Sequence, residues 1–158
     1  MPQLAKLSRR HMVMGMLVLP FLGAQAAPAR TLIEVWKSPT CGCCKDWISH
    51  VEKEGFEVKT YELSESAKTA QRSKLGMAEK FGSCHTALVS GYVLEGHVPG
   101  RDIRRLLTEK PRALGLAVPG MPIGSPGMDG PAYGGRKDPY RVLLVQRDGS
   151  STVFQAYS

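Results

Sequence analysis

The chain has 158 residues, 42% of them hydrophobic and 22% charged, with 21 Lys and Arg against 14 Asp and Glu and a formal charge of +7. That length suits one domain with a single sizeable core. No block of Lys and Arg is interleaved with aromatic residues, so the positive balance is not a nucleic-acid footprint.

The first 26 residues read as an export signal. Lys6, Arg9 and Arg10 make a positive start, an apolar run follows from Met12 to Gly23, and Ala24-Gln25-Ala26 offers a small-x-small cleavage site. The run is short for a membrane span and contains Gly15 and Pro20. Ser8-Arg9-Arg10-His11-Met12-Val13 has the pattern of a twin-arginine signal, a route for folded cargo. The expected division is a signal at 1–26 and one domain at 27–158, exported, with no membrane partner once the signal is removed. Cleavage would leave 132 residues with 18 basic and 14 acidic side chains, a formal charge of +4.

Thr31-Leu32-Ile33-Glu34-Val35-Trp36 is rich in branched and aromatic residues and predicts a strand. Trp47, Ile48 and Val51 then recur at helical spacing, with Gly55 placed to stop the helix. Between them lies Lys37-Ser38-Pro39-Thr40-Cys41-Gly42-Cys43-Cys44, so three of the four cysteines fall on the strand-to-helix turn. Unpaired backbone N–H groups and the positive end of the helix dipole favour thiolate there. Such sulfurs can exchange disulfides or hold a soft metal. Two structural disulfides are the plain reading of four cysteines in an oxidising compartment. Adjacent Cys43 and Cys44 cannot easily pair with each other, which argues against it; one disulfide with spare thiols stays open.

Further along, Phe56 to Tyr61 predicts a second strand and Ser64 to Phe81 one or two polar-rich helices closed by Gly82. Thr86 to Val89 and Tyr92 to Glu95 flank Ser90-Gly91 as a hairpin. Pro99-Gly100 opens a helix over Arg101 to Glu109, with Arg101, Arg104 and Arg105 on its solvated face and Pro111 ending it. This order resembles the thioredoxin fold: an α/β domain with a central mixed sheet, flanking helices and a C-x-x-C at the first helix. Where that fold begins its third strand with a cis-proline, this chain has Cys84-His85. If the fold holds, that loop brings a fourth sulfur and an imidazole beside the first three.

After Pro111 the chain changes character. Gly115 to Gly135 is dense in glycine and carries Pro119, Pro122, Pro126 and Pro131, which predicts a long loop without regular structure. Tyr140 to Val145 and Thr152 to Tyr157 then flank Asp148-Gly149 as a second hairpin at the sheet edge.

Cys41, Cys43, Cys44, Cys84 and His85 are the main candidate ligands. Thiolate with imidazole suits copper(I) or zinc and disfavours magnesium or calcium. Met121 and Met128 in the Gly/Pro/Met loop add thioethers, soft donors that otherwise serve as adaptable packing. His97, at the end of the first hairpin, is a further candidate; His50, on the first helix, is expected to be exposed, and His11 belongs to the signal. No carboxylate pair or Ser-His-Asp arrangement stands out, so no catalytic residue is assigned.

Trp36 to Cys44, Cys84-His85-Thr86, Glu95-Gly96-His97-Val98-Pro99 and Leu116 to Met128 together resemble the DUF411 family, over nearly the whole chain from Thr31 to Tyr157. That family consists of predicted periplasmic metal-binding proteins, copper-resistance proteins among them. The resemblance implies a thioredoxin-like fold, copper bound through Cys41, Cys43, Cys44 and Cys84 with His85 nearby, and a periplasmic role in copper tolerance beside other copper-handling proteins. The leading expectation is a protein that sequesters Cu(I), as a multinuclear cluster and with cycling to Cu(II) as finer readings. The alternatives are a thiol–disulfide oxidoreductase using Cys41 and Cys44, and a structural zinc module.

Overall fold

The structure, a computed structural model, describes residues 29–158. The export signal expected at 1–26 lies outside them. Among the described residues no helix is long and apolar enough to cross a membrane.

Among the described residues seven strands form one sheet in the order β2-β1-β3-β4-β5-β6-β7. β1 (Leu32–Lys37) pairs parallel with β2 (Glu57–Glu62) and antiparallel with β3 (His85–Val89), which pairs antiparallel with β4 (Tyr92–Glu95). This is the thioredoxin-like arrangement expected from the element order. β5 (Gly115–Ala117), β6 (Tyr140–Val145) and β7 (Ser151–Tyr157) extend the sheet beyond it.

The two faces of the sheet are filled separately, because successive side chains on a strand point opposite ways. One face packs Ile33, Val35, Ala87, Leu94 and Leu116 against Trp47 and Val51 of α1 (Gly42–Lys53) and Ile103 and Leu106 of α3 (Gly100–Glu109). The other packs Val93, Ala117 and Val145 against Met77, Phe81 and Leu114. α2 (Glu65–Lys74) turns Lys68 and Arg72 inward, one helical turn apart, which explains its polar composition. Ser64 caps it, accepting from the Ala67 N–H at 3.3 Å. Arg101, Arg104 and Arg105 lie exposed on α3, as the sequence predicts.

One expectation is overturned. The Gly115–Gly135 segment is not wholly irregular: Gly115–Ala117 is a buried strand that joins β4 to β6. A Cβ at Gly115 would overlap the Val93 backbone, so the glycine that looked like a loop signal is what admits this strand.

Candidate metal centre

The β1–α1 turn places three sulfurs at the start of α1. Cys41 stands at its N-cap with no side-chain cap, and its first turn holds no acidic residue. Cys44 is fully buried, whereas Cys41 and Cys43 are partly exposed. Cys41 and Cys44 are joined in a disulfide, and Cys43 and Cys84 are free. One disulfide with spare thiols, left open by the sequence, is therefore the state present.

Cys84 comes from the turn entering β3 and lies at the centre of the group. Its Sγ is 3.8 Å from Cys43 Sγ, 3.2 Å from His85 Nδ1 and 3.0 Å from His97 Nε2, and Cys43 Sγ is in turn 3.6 Å from Cys41 Sγ. Two ligand sets share Cys84: Cys41, Cys43, Cys44 and Cys84, and Cys84, His85 and His97.

Several contacts hold this turn in place. Lys68 Nζ donates to the Cys84 carbonyl at 2.9 Å. The fully buried Glu95 accepts from the Ser83 N–H at 2.7 Å and the Thr86 hydroxyl at 2.6 Å, with Arg72 Nε at 3.4 Å. Gly96 adopts φ +72°, and a Cβ there would meet Ser83 Oγ and the Val118 carbonyl at 2.5 Å. Glycine at 96 thus lets the chain bend His97 towards Cys84.

His97 is fully buried, and its Nδ1 lies 2.7 Å from the Pro126 carbonyl. A carbonyl only accepts, so Nδ1 carries the proton and Nε2 offers its lone pair to Cys84. Metal-ligating histidines are commonly oriented by such a second hydrogen bond. His85, also fully buried, stacks tilted on Trp47 with ring centroids 4.4 Å apart, and its Nε2 has no hydrogen-bond partner among the described residues. A buried ring nitrogen without a partner costs about 1–3 kcal/mol. Both features fit a group that accepts a metal ion.

Burial pushes the Cys84 thiol up to about 12, with the Cys43 sulfur adding to the shift. Burial also drives His85 well below its ordinary value and lowers His97, the latter opposed by the Pro126 hydrogen bond and by Asp129. At neutral pH the metal-free site is therefore a thiol beside neutral imidazoles, and Cys84 S–H donates to His97 Nε2. A soft cation would occupy the place of that proton.

The Gly/Pro/Met loop roofs the site. Gly120 N–H donates to the Gly82 carbonyl at 3.1 Å, and Ser83 Oγ donates to the Gly120 carbonyl. Met121, 52% exposed, thereby stands on the rim of a 460 Å³ cleft lined also by Cys41, Lys68, Ser83 and Cys84. Met128 is buried within the same loop, where the Tyr133 hydroxyl donates to its sulfur at 3.2 Å. Gly127, at φ +84°, presses on the first turn of α1 so closely that a Cβ would lie 2.6 Å from the Cys43 carbonyl and 2.7 Å from Trp47 N. Trp47 Nε1 donates to the Val98 carbonyl at 2.8 Å, tying α1 to the His97 segment.

The structure thus gathers Cys41, Cys43, Cys44, Cys84 and His85, sets Met121 at the rim, and adds His97. His50 is half-buried rather than exposed; its Nε2 accepts from Gly100 N–H at 3.0 Å at the start of α3, and burial lowers its pKa.

A thioredoxin-like domain whose first helix and third strand share a thiol–imidazole cluster defines a class of protein able to ligate a metal ion. The family model described as "Protein of unknown function, DUF411" matches residues 81–128. Two solved structures, described as "Copper resistance protein copG", forms 1 and 2, are each 43% identical, cover 82% of this chain with a TM-score of 0.74, and are themselves covered to 98% and 100%. No curated protein matches the chain. The chain belongs to the DUF411 family of CopG-like copper-resistance proteins.

Proposed function

We propose that this is a periplasmic copper-binding protein that holds Cu(I) through Cys41, Cys43, Cys44 and Cys84, with His85 and His97 as nitrogen donors, and so contributes to copper tolerance. The observation that carries this reading is the shared Cys84 sulfur, within 3.8 Å of Cys43 Sγ and 3.0 Å of His97 Nε2. Thiolate and imidazole donors select soft ions, and the similar copper-resistance proteins favour Cu(I) over zinc. A sulfur common to two ligand sets supports more than one ion per chain. Met121 adds a thioether at the mouth; we assign no metal to Met128. Export rests on the Met12–Gly23 run and the Ala24-Gln25-Ala26 site. Other periplasmic copper-handling proteins are the natural donors and acceptors of the cargo.

The disulfide makes loading redox-dependent. Reduction of Cys41–Cys44 takes two electrons and two protons and frees two thiols. In the reverse sense the dithiol reduces two Cu(II) to two Cu(I), forming the disulfide and releasing two protons. Anaerobic titration of reduced, metal-free protein with Cu(I) against a competing chelator tests the reading. More than one Cu(I) per chain is expected, with sulfur in the first shell at the copper edge. Unchanged copper affinity after replacing all four cysteines by serine would sink it.

A second reading is favoured by the disulfide itself: thiol–disulfide exchange with Cys41 as the accessible sulfur and Cys44 as the buried one. Insulin reduction by metal-free protein, abolished in Cys41→Ser, would establish it.

A further inference from the structure

Four cations without an ionic partner gather at the end of the sheet opposite the cysteines. β1 runs towards the cluster, so its start, the Ser90–Gly91 turn and the β6–β7 turn all lie at the far end. The six residues of β1 put about 20 Å between the two ends. Lys110, Arg112 and Arg147 line a cleft of about 720 Å³ with Thr31, Ser90 and Leu107. Arg112 and Arg147 continue into an adjoining cleft of about 360 Å³, and Arg30 immediately precedes Thr31.

All four are exposed, and among the described residues none joins an ion pair. On α3, by contrast, Arg104 pairs with Glu54 and Arg105 with Glu109. Of the carboxylates at this end, Asp148 is engaged by the N–H and hydroxyl of Ser150 and Glu109 by Arg105, while Glu57 at the start of β2 is exposed and in no ion pair among the described residues. The cations are far apart in sequence, and only the fold collects them.

We propose that, against the expectation of no membrane partner once the signal is removed, this end is a peripheral docking surface for an anionic membrane, its Arg and Lys side chains seated on phosphodiester headgroups. Unpaired cations from three separate segments suit a plane of headgroups better than one small anion. The apolar run ending at Gly23 stands seven residues before Arg30, at most about 25 Å of extended chain. A bilayer that engages that run during export meets this end of the domain first. Docked so, the cysteine cleft faces away from the lipid, open to soluble copper donors. This inference does not depend on the metal reading.

Residues 27–158, which contain the whole sheet and both cores, are sedimented with vesicles of one-third phosphatidylglycerol in phosphatidylcholine, and with phosphatidylcholine alone. Partition into the anionic vesicles only is expected, falling about fivefold for each of Arg112→Ala and Arg147→Ala. It is lost in Arg112→Glu/Arg147→Glu and at 1 M salt, where the screening length falls to about 3 Å. Arg136→Glu/Lys137→Glu, the same charge change in the loop at the cysteine end, keeps most of the binding. Far-UV circular dichroism confirms that each variant is folded. Equal loss in both double variants, no preference for anionic lipid, or capture by polyglutamate without vesicle binding would each overturn the proposal, the last by assigning the surface to an acidic protein.

Discussion

Gly127→Ala tests whether the Gly/Pro/Met loop is seated on the site. The new methyl would lie 2.6 Å from the Cys43 carbonyl oxygen, 2.7 Å from Trp47 N and 3.1 Å from Trp47 Cα. These are backbone atoms of a helix whose Trp47 and Val51 are fully buried, so they have little room to give. At φ +84° the backbone also favours glycine, at a cost of roughly 1–2 kcal/mol for an L side chain. Overpacking against rigid neighbours adds about 1–3 kcal/mol. A total of roughly 2–5 kcal/mol corresponds to a fall of about 1–2.5 M in the urea midpoint for a slope near 2 kcal/mol/M. The chain escapes part of this by lifting the loop, which withdraws Pro126 from His97 Nδ1. Copper affinity then falls although no ligand has changed. The control is Gly130→Ala, where φ is −71° and a Cβ meets nothing within 4 Å. It is expected to leave both midpoint and affinity within error. Should the two variants unfold and bind alike, the loop is not packed on α1 and does not hold His97 in place.

Cys84→Ser removes the sulfur common to both ligand sets and is expected to lower bound Cu(I) more than Cys43→Ser does, read by competition titration with a chelator. On the proposed copper reading, affinity is expected to rise with pH across the neutral range. Cys84 is protonated in the metal-free protein up to about 12 and must lose that proton on binding, so its contribution is about tenfold per pH unit. A flat profile between pH 6 and 8 would refute its deprotonation. In the metal-free protein the same raised thiol stabilises the fold fully below its ordinary value of 9.0 and less as pH climbs from there to about 12. Denaturation at pH 8 and 10.5 should show the loss, and Cys84→Ser should remove it. Glu95→Ala leaves Arg72 without its buried partner and the Ser83 N–H without an acceptor. It is expected to cost roughly 3–5 kcal/mol, measured by urea denaturation.

Much of the fold was legible because local signals and tertiary structure agree. The Ser90–Gly91 turn and the Trp47/Val51 spacing each specify one element without outside help. β5 was not legible. Its three residues are too short for a period, and Gly115 serves close packing against Val93 while carrying the signature of a loop. At the site, sulfur density at 41–44 announced the chemistry, and Cys84-His85 followed from the third-strand position of the fold. His97 was harder to weigh, because its value depends on Gly96 turning the chain and on Pro126, 29 residues away, holding the ring. Glycine followed by histidine at the end of a strand was the available signal. His50 looked like a surface residue because nothing local reveals that α3 begins against it.

Membership of Cys84 in two ligand sets has a thermodynamic consequence. The thiol has one proton, and whichever ion arrives first must displace it. An ion reaching the other set afterwards meets a thiolate already formed and bears no such cost. With copper bound as proposed, the two occupancies would therefore be coupled through a proton across the neutral range, positively and more strongly at low pH, with mutual repulsion of the cations acting against them. Acidification would then weaken the first binding event more than the second, so that loading would sharpen towards all or none just where copper is hardest to hold.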